Sequence, residues 1–301
     1  NFQPMARAIE FPKNCSLVEN GTTSLLIKNE FKETLLKQGI THPKQLIANT
    51  PQTKHFEGRS FLPSILIQES DGKRMVVKHC MRGGLIRFLN NDIFWGDSRS
   101  FYEMNINAKI LEKGMKTTEI IAAVKEKIFG PLYRTYIFSM ELPECSDLIN
   151  YFNGLKAKTL AQRFKDKKHL FQSIARAFAK MHSEGIYHND LHLKNILIRQ
   201  INDKTPDIYI IDFDKADIKE KLSPKEKAKN LLRFNRSIEK YKLKGGPITR
   251  TDQMRFFKEY FKMDAEVLNL FTKNKTIYLL PLKLRILKWR LLNFTSKTFK
   301  K

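Results

Sequence analysis

The sequence is poor in cysteine: three in 301 residues, Cys15, Cys80 and Cys145, far apart and with no Cys-x-x-Cys spacing. This argues against a disulfide framework and against a thiolate zinc site, and it fits a reducing compartment. No uninterrupted apolar stretch reaches the roughly 18 residues that a spanning helix needs. The first twenty residues carry no apolar core of the kind found in a signal peptide, so none is expected. Internal repeats, Pro/Gly/Ser-rich linkers and a G-x-G-x-x-G loop are also missing. Acidic residues are scarce relative to basic ones, 31 against 55, for a net charge of +24. From Lys215 onward the imbalance sharpens to 24 basic and 8 acidic residues. A field of that sign favours polyanionic partners, whether nucleic acid, anionic lipid or a phosphorylated substrate.

What is present divides into two kinds of pattern. Hydrophobic residues make up 42% of the chain, with 22 Phe, enough for a substantial core. In the first half, a short helix is expected over 30–38, closed by Gly39. Residues 61–67 and 73–79 read as strands joined by Asp71-Gly72. A helix follows over 98–113, capped by Asp97 or Ser98, with an apolar stripe of Phe101, Met104, Ala108 and Leu111. Two further strands are expected over 122–127 and 134–140. The second half is mainly helical. Apolar residues recur with a 3.6-residue period over 164–184, which ends at Gly185. Residues 145–148 are expected to open a helix with Ser146 or Asp147 as its cap or as a ribose contact. Short strands are expected over 196–199 and 207–213. Ser223-Pro224-Lys225-Glu226 reads as a capping box opening a helix that runs to Gly245, and Thr251 is expected to cap another. The fold class expected is α+β, with a β-rich N-terminal lobe over 1–141 and a helical C-terminal lobe over 142–301.

The chemistry concentrates in His188-Asn189-Asp190-Leu191-His192-Leu193-Lys194-Asn195. A single aspartate in a loop is usually a turn former. Here His-x-Asp-x4-Asn is followed by an apolar strand, a turn and a second apolar strand ending in Asp212-Phe213-Asp214. That combination matches the catalytic and metal-binding segments of protein-kinase-like phosphotransferases. Asp190 is the expected base that accepts a hydroxyl proton. Asn195 and Asp212 offer the oxygen ligands that Mg²⁺ requires beside ATP phosphates, and His188 is expected to orient the loop. Upstream, Lys78 at a strand end is the candidate contact for the α/β-phosphates, held by Glu103. Gly58-Arg59-Ser60 is a shortened phosphate-covering turn. Met140-Glu141-Leu142 is placed to bind adenine, and since Pro143 has no N–H, Leu142 or a neighbour must donate.

Arg82-Gly83-Gly84-Leu85, Asp97-Ser98-Arg99-Ser100-Phe101-Tyr102-Glu103, Ile211-Asp212-Phe213-Asp214-Lys215 and the stretch 227–237 resemble the lipopolysaccharide kinases, over roughly residues 55–240. The likeness is to the 3-deoxy-D-manno-octulosonic acid (Kdo) kinases, with inner-core heptose kinases as relatives. It implies a bilobal kinase-like fold and ATP- and Mg²⁺-dependent phosphorylation of a sugar hydroxyl on a Kdo–lipid A type acceptor. It also implies a peripheral location on the cytoplasmic face of an inner membrane. Asp214 stands where protein kinases carry glycine. His192 stands where they often carry a phosphate-contacting lysine, with Lys194 an open alternative. Arg233 and Arg236, three apart on one helix, suit a carboxylate or phosphate on the acceptor. Residues 277–292 alternate apolar and basic side chains around Trp289, and residues 271–301 hold nine Lys or Arg and no acid. Such a segment fits an anionic membrane surface, with packing on the helical lobe as its rival. Three other readings stay open: a soluble-substrate kinase of the aminoglycoside phosphotransferase type, an inactive kinase-like domain that binds nucleic acid, and a catalytically silent kinase-like scaffold at the membrane. The intact Lys78, Asp190, Asn195 and Asp212 speak against a nucleic-acid binder.

Overall fold

A computed structural model describes residues 11–50, 62–81, 92–155, 159–199 and 205–274, together with the backbone of 55–56. The expected turn at Gly58, Arg59 and Ser60, the 82–85 stretch and the basic segment 277–292 lie outside the described residues. The chain divides into two compact units, 1–143 and 144–301.

The N-terminal unit is organised on an antiparallel sheet of β1 (Cys15–Asn20), β2 (Thr23–Lys28), β3 (His55–Phe56), β4 (Leu62–Leu66), β5 (Arg74–His79), β6 (Phe94–Trp95), β7 (Ile120–Phe129) and β8 (Leu132–Met140). Its order is β1-β2-β7-β8-β5-β4-β3, with β6 on the far end of β8. Side chains alternate between two cores, as the pleat requires. Leu25, Ile27, Met75, Val77, Ala122, Val124, Tyr136 and Phe138 pack with Leu35 of α1 (Lys32–Lys37) and Leu46 of α2 (Pro43–Asn49). Leu26, Ala123, Tyr133 and Ile137 pack instead with Phe101 and Met104 of α3 (Arg99–Glu112). Burial on both faces is why Leu25-Leu26-Ile27 reads as a continuous apolar run. The β4–β5 turn has Asp71 at φ +48° and Gly72 at φ +77°, the left-handed pair that closes a tight hairpin.

One local difference from the sequence expectation in this unit has an identifiable cause. Ser98 caps α3, but the helix buries Phe101, Met104, Ile106, Asn107 and Ile110 and leaves Ala108 and Leu111 half-buried. Asn107 sets that register: its amide donates to the Thr118 carbonyl at 2.8 Å and accepts from the Ile120 N–H at 2.9 Å, tying the helix to the start of β7.

In the C-terminal unit, Cys145–Asp147 forms β9 rather than a helix start, because it pairs with β11 (Ile196–Arg199). Asp147 then caps α4 (Leu148–Gly154), accepting from the N–H groups of Ile149 and Asn150. Helix α5 (Leu160–Ser183) is opened by a Thr159–Gln162 capping box. Strand β12 (Asp207–Ile210) pairs with β11 and stops at Ile210, three residues short of the expected end, since the chain turns at Asp212. The Ser223–Glu226 box opens α6 (Pro224–Lys242) as expected, whereas α7 (Arg250–Met263) is capped by Thr249 with Asp252, not by Thr251. Helix α8 (Ala265–Lys273) follows. Phe178, Phe234 and Phe256 from α5, α6 and α7 meet with ring centroids 4.9–5.5 Å apart and form the centre of this core. Burying three Phe side chains contributes several kcal/mol, at about 1.5–3 kcal/mol each.

Gly185 terminates α5 at φ +73°, just before β10 (Ile186–Tyr187) and its partner β13 (Asp217–Ile218). A Cβ placed there would lie 1.8 Å from the Lys219 carbonyl oxygen, whose own N–H donates to the Gly185 carbonyl at 2.9 Å. Only glycine fits both the turn and the close strand. Gly185→Ala is therefore expected to destabilise the C-terminal unit by roughly 2–4 kcal/mol. Urea denaturation measures it; a shift below about 1 kcal/mol would contradict the packing described.

Candidate active site

The catalytic-loop segment 188–195 is fixed from inside the C-terminal unit by hydrogen bonds that the sequence order does not reveal. His188 is buried, and its Nε2 donates to the Ile211 carbonyl at 2.9 Å. Its Nδ1 accepts from the Asp190 N–H at 3.2 Å. A carbonyl can only accept and an amide N–H can only donate, so these two contacts specify the neutral Nε2–H tautomer. Burial pushes the His188 pKa down, in agreement with that form. The Phe213 ring packs on the imidazole at 4.7 Å.

The same Ile211 peptide is held on its other side, where its N–H donates to the Asn195 carbonyl at 3.0 Å. Asn195 is buried, and its Nδ2 donates to the Asp190 backbone carbonyl at 3.0 Å. Asp190, Asn195 and the residue before Asp212 are thus linked through four hydrogen bonds, two of them made by the His188 imidazole. Asp212 takes φ +66°, a left-handed conformation that aspartate tolerates but that costs about 1–3 kcal/mol. The bonds on Ile211 hold the backbone directly before that strained turn.

The donor set fits one hard cation. Because the Asn195 NH₂ is anchored on the Asp190 carbonyl, its Oδ1 is left as an oriented oxygen, and Asp212 supplies a carboxylate. Among the described residues no group of three His, Cys, Asp or Glu could hold a metal by protein ligands alone. A cation bound here would take the rest of its shell from phosphate and water, as Mg²⁺ commonly does.

The Asp190 carboxylate is about one-third exposed and meets two cations. Arg233 Nη1 lies 3.3 Å from its Oδ1, and Lys215 Nζ lies 3.8 Å from its Oδ2. Arg233 is therefore drawn to the candidate base itself, while Arg236 is half-buried one turn further along α6. Lys215 was not among the residues expected from the sequence. Its only signal there is its place directly after Asp212-Phe213-Asp214.

In the N-terminal unit, Lys78 Nζ and Glu103 Oε1 stand 3.3 Å apart, with Glu103 buried and Lys78 one-third exposed. The 25-residue pairing expected from sequence is present. The Met140 N–H donates to the Glu119 carbonyl and the Glu141 N–H to the Arg74 carbonyl, each at 2.8 Å. The Glu141 carboxylate is engaged by Arg74 at 3.3 Å and by the Ser64 hydroxyl. Of the three expected hinge residues, Leu142 is the one whose N–H has no partner among the described residues.

Comparison with known proteins identifies the family. The model of the lipopolysaccharide kinase (Kdo/WaaP) family matches residues 35–260. The chain belongs to that family. A protein of Vibrio vulnificus named 3-deoxy-D-manno-octulosonic acid kinase is 33% identical over 172 residues, 56% of this chain and 66% of the relative. The match thus spans just under two thirds of the Vibrio protein. Proteins of the same name from Mannheimia succiniciproducens and Haemophilus influenzae are 31% and 30% identical, over 60% and 61% of this chain and 72% and 73% of theirs. A solved structure titled "WaaP in complex with acyl carrier protein" aligns with a TM-score of 0.58 at 17% identity, covering 88% of this chain and 98% of that one. That likeness is one of fold. The lipopolysaccharide kinase family's kinase-like α+β architecture is the one seen here.

Behind the loop of this family member lies a buried polar network that sequence reading did not identify. Asn230 Oδ1 accepts from the His188 backbone N–H at 3.1 Å and faces His182 Nε2 at 3.3 Å. Because Oδ1 can only accept, His182 carries its proton on Nε2, and its Nδ1 accepts from the Tyr260 hydroxyl at 2.7 Å. Beyond Tyr260, Asp264 is paired with the buried Lys227 at 2.8 Å. Burial lowers the His182 pKa to about 4. With the folded-state value below the ordinary 6.5, the unfolded chain binds the extra proton first as pH falls. Stability should therefore be full above pH 6.5 and decline toward pH 4, with a slope from this group of up to about 1.4 kcal/mol per pH unit. Urea unfolding at several pH values, in wild type and His182→Gln, measures it. The variant should show the shallower slope; equal slopes would contradict a neutral buried His182.

Proposed function

We propose that this chain transfers the γ-phosphate of ATP to a sugar hydroxyl of the lipopolysaccharide inner core, with Kdo on a Kdo–lipid A type acceptor favoured over heptose. The observation that carries this reading is the anchoring of Asp190, Asn195 and Asp212 around one peptide, Ile211. The shared name of the curated relatives supports Kdo as the acceptor sugar.

In this reading Asp190 accepts the proton of the attacking hydroxyl. Asn195 Oδ1 and the Asp212 carboxylate hold Mg²⁺, which supplies charge neutralisation to the phosphates when bound. Lys78, positioned by Glu103, meets the α/β-phosphates, and Leu142 offers its N–H to adenine, with Met140 and Glu141 shaping that strand end. Gly58, Arg59 and Ser60 cover the phosphates by their backbone. Arg233 and Arg236 receive the anionic groups of the acceptor. A Kdo sugar carries a carboxylate that Arg can grip with two donors. The enzyme works at the cytoplasmic face of the inner membrane as a peripheral protein. No described helix is long and apolar enough to cross a bilayer, and the basic segment 277–292 supplies contact with anionic lipid.

Kdo–lipid A incubated with ATP and Mg²⁺ should gain one phosphoryl group, located on the Kdo fragment by mass spectrometry. A gain found only on heptose-bearing core would move the acceptor to heptose. Asp190→Asn should lower turnover by roughly 10²–10⁴-fold with an unchanged unfolding midpoint; retained turnover would remove Asp190 from the role of base. Deleting residues 277–301 should weaken co-sedimentation with anionic vesicles, and unchanged binding would assign membrane contact elsewhere.

A further inference from the structure

The two cations on Asp190 come from different elements, and that difference separates their tasks. Arg233 belongs to α6, and its partner is Oδ1. Lys215 follows Asp212-Phe213-Asp214, and its partner is Oδ2. The backbone of Lys215 is fixed independently of its side chain, because Asn189 Nδ2 donates to the Lys215 carbonyl at 2.8 Å. Asn189 is the residue directly before Asp190. One catalytic-loop side chain therefore secures the main chain of Lys215, while the next one meets its ammonium group.

A purely structural role for this pair is weak on physical grounds. Lys215 is 58% exposed, the separation is 3.8 Å, and an exposed pair of this kind contributes little to folding. A lysine held in place at so little gain to stability, one contact from the proton acceptor and three residues from a candidate metal ligand, is arranged for chemistry. The other lysine of the segment is not so arranged. Lys194 is exposed on the short turn Leu193–Asn195 and pairs with no carboxylate among the described residues.

We propose that Lys215 is a further catalytic residue, the cation that bridges the base Asp190 and the transferred phosphoryl group. The proposal rests on the phosphotransfer reading above. The acceptor hydroxyl gives its proton to Asp190 as its oxygen bonds to the γ-phosphorus. The bond from that phosphorus to the β,γ-bridging oxygen breaks, and its electron pair leaves with ADP. Lys215 keeps its protons throughout. Its charge faces the non-bridging oxygens, where transfer concentrates negative charge, and so acts more strongly in the transition state than in the ground state. Arg233, on the α6 side, is left to the acceptor.

The test compares wild type with Lys215→Ala, Lys215→Arg and Lys258→Ala. Lys215→Ala should lower kcat by roughly 10²–10³-fold, with KM for the acceptor within about threefold and an unchanged urea midpoint. Lys215→Arg should regain at least about tenfold, since it restores the charge but not the compact ammonium. Lys258→Ala, at an exposed position of α7, should match wild type. Binding without turnover gives an independent reading by calorimetry: Lys215→Ala should weaken ATP by about fivefold and leave ADP unchanged. A kcat within threefold of wild type, a loss confined to the acceptor KM, or equal losses for ATP and ADP would each overturn the proposal. Failure of the acceptor reading looks different: wild type itself would then leave Kdo–lipid A unphosphorylated. In that case the same variant ratios are read on acceptor-independent ATP hydrolysis and on the ATP/ADP affinities, and wild-type levels of both in Lys215→Ala would again overturn the role of Lys215.

Discussion

The Ile211 peptide, gripped on both sides by the loop 188–195, is the constraint on which the site depends. Its carbonyl takes the proton of His188 Nε2, and its N–H is taken by the Asn195 carbonyl. These bonds join the strand that delivers Asp212 to the loop that delivers Asp190. They fix the backbone directly before the left-handed turn at Asp212, where φ is +66°. The imidazole serves only in its neutral form, because a charged ring would have to place a second N–H against the Asp190 N–H. Burial of His188 keeps the ring in that form.

A second layer of constraint lies deeper. Asn230 ties the backbone of His188 to His182, which continues to Tyr260, Asp264 and Lys227. These residues come from α5, α6, α7 and the start of α8, the same elements whose Phe178, Phe234 and Phe256 form the apolar centre. Packing and polar satisfaction therefore converge on one place, the underside of the catalytic loop. The exposed side of the loop is governed by charge instead, with Asp190 between Arg233 and Lys215. A carboxylate between two cations is suited to chemistry on anionic reactants, in keeping with the chain's overall excess of positive charge.

How much of this was legible in the sequence depends on how far apart the cooperating residues lie. His188, Asp190 and Asn195 fall within eight residues, and their spacing alone exposed them. Lys78 and Glu103 are legible because one lies near the end of a readable strand and the other inside a readable helix. The hairpin of β1 and β2 was not read, because Leu25-Leu26-Ile27 is buried on both faces and shows no alternation. The register of α3 was misjudged because Asn107, a polar residue, faces inward to bond Thr118 and Ile120. Asn230 lies 42 residues from the loop it supports, in a helix face that reads as ordinary. Lys215 stood in plain view beside Asp212, but its approach to Asp190 is a tertiary fact. Glu141 was placed at the nucleotide strand, and its carboxylate is engaged by Arg74 and Ser64, partners from other strands.

The most direct test of this account is the protonation of His188, read by ¹⁵N NMR of histidine-labelled protein with His188→Gln used to assign the signal. The structure predicts a proton on Nε2, a bare Nδ1 and a titration midpoint below the ordinary 6.5. A proton on Nδ1, or an imidazolium at neutral pH, would contradict the clamp on Ile211 and with it the placement of Asp190, Asn195 and Asp212.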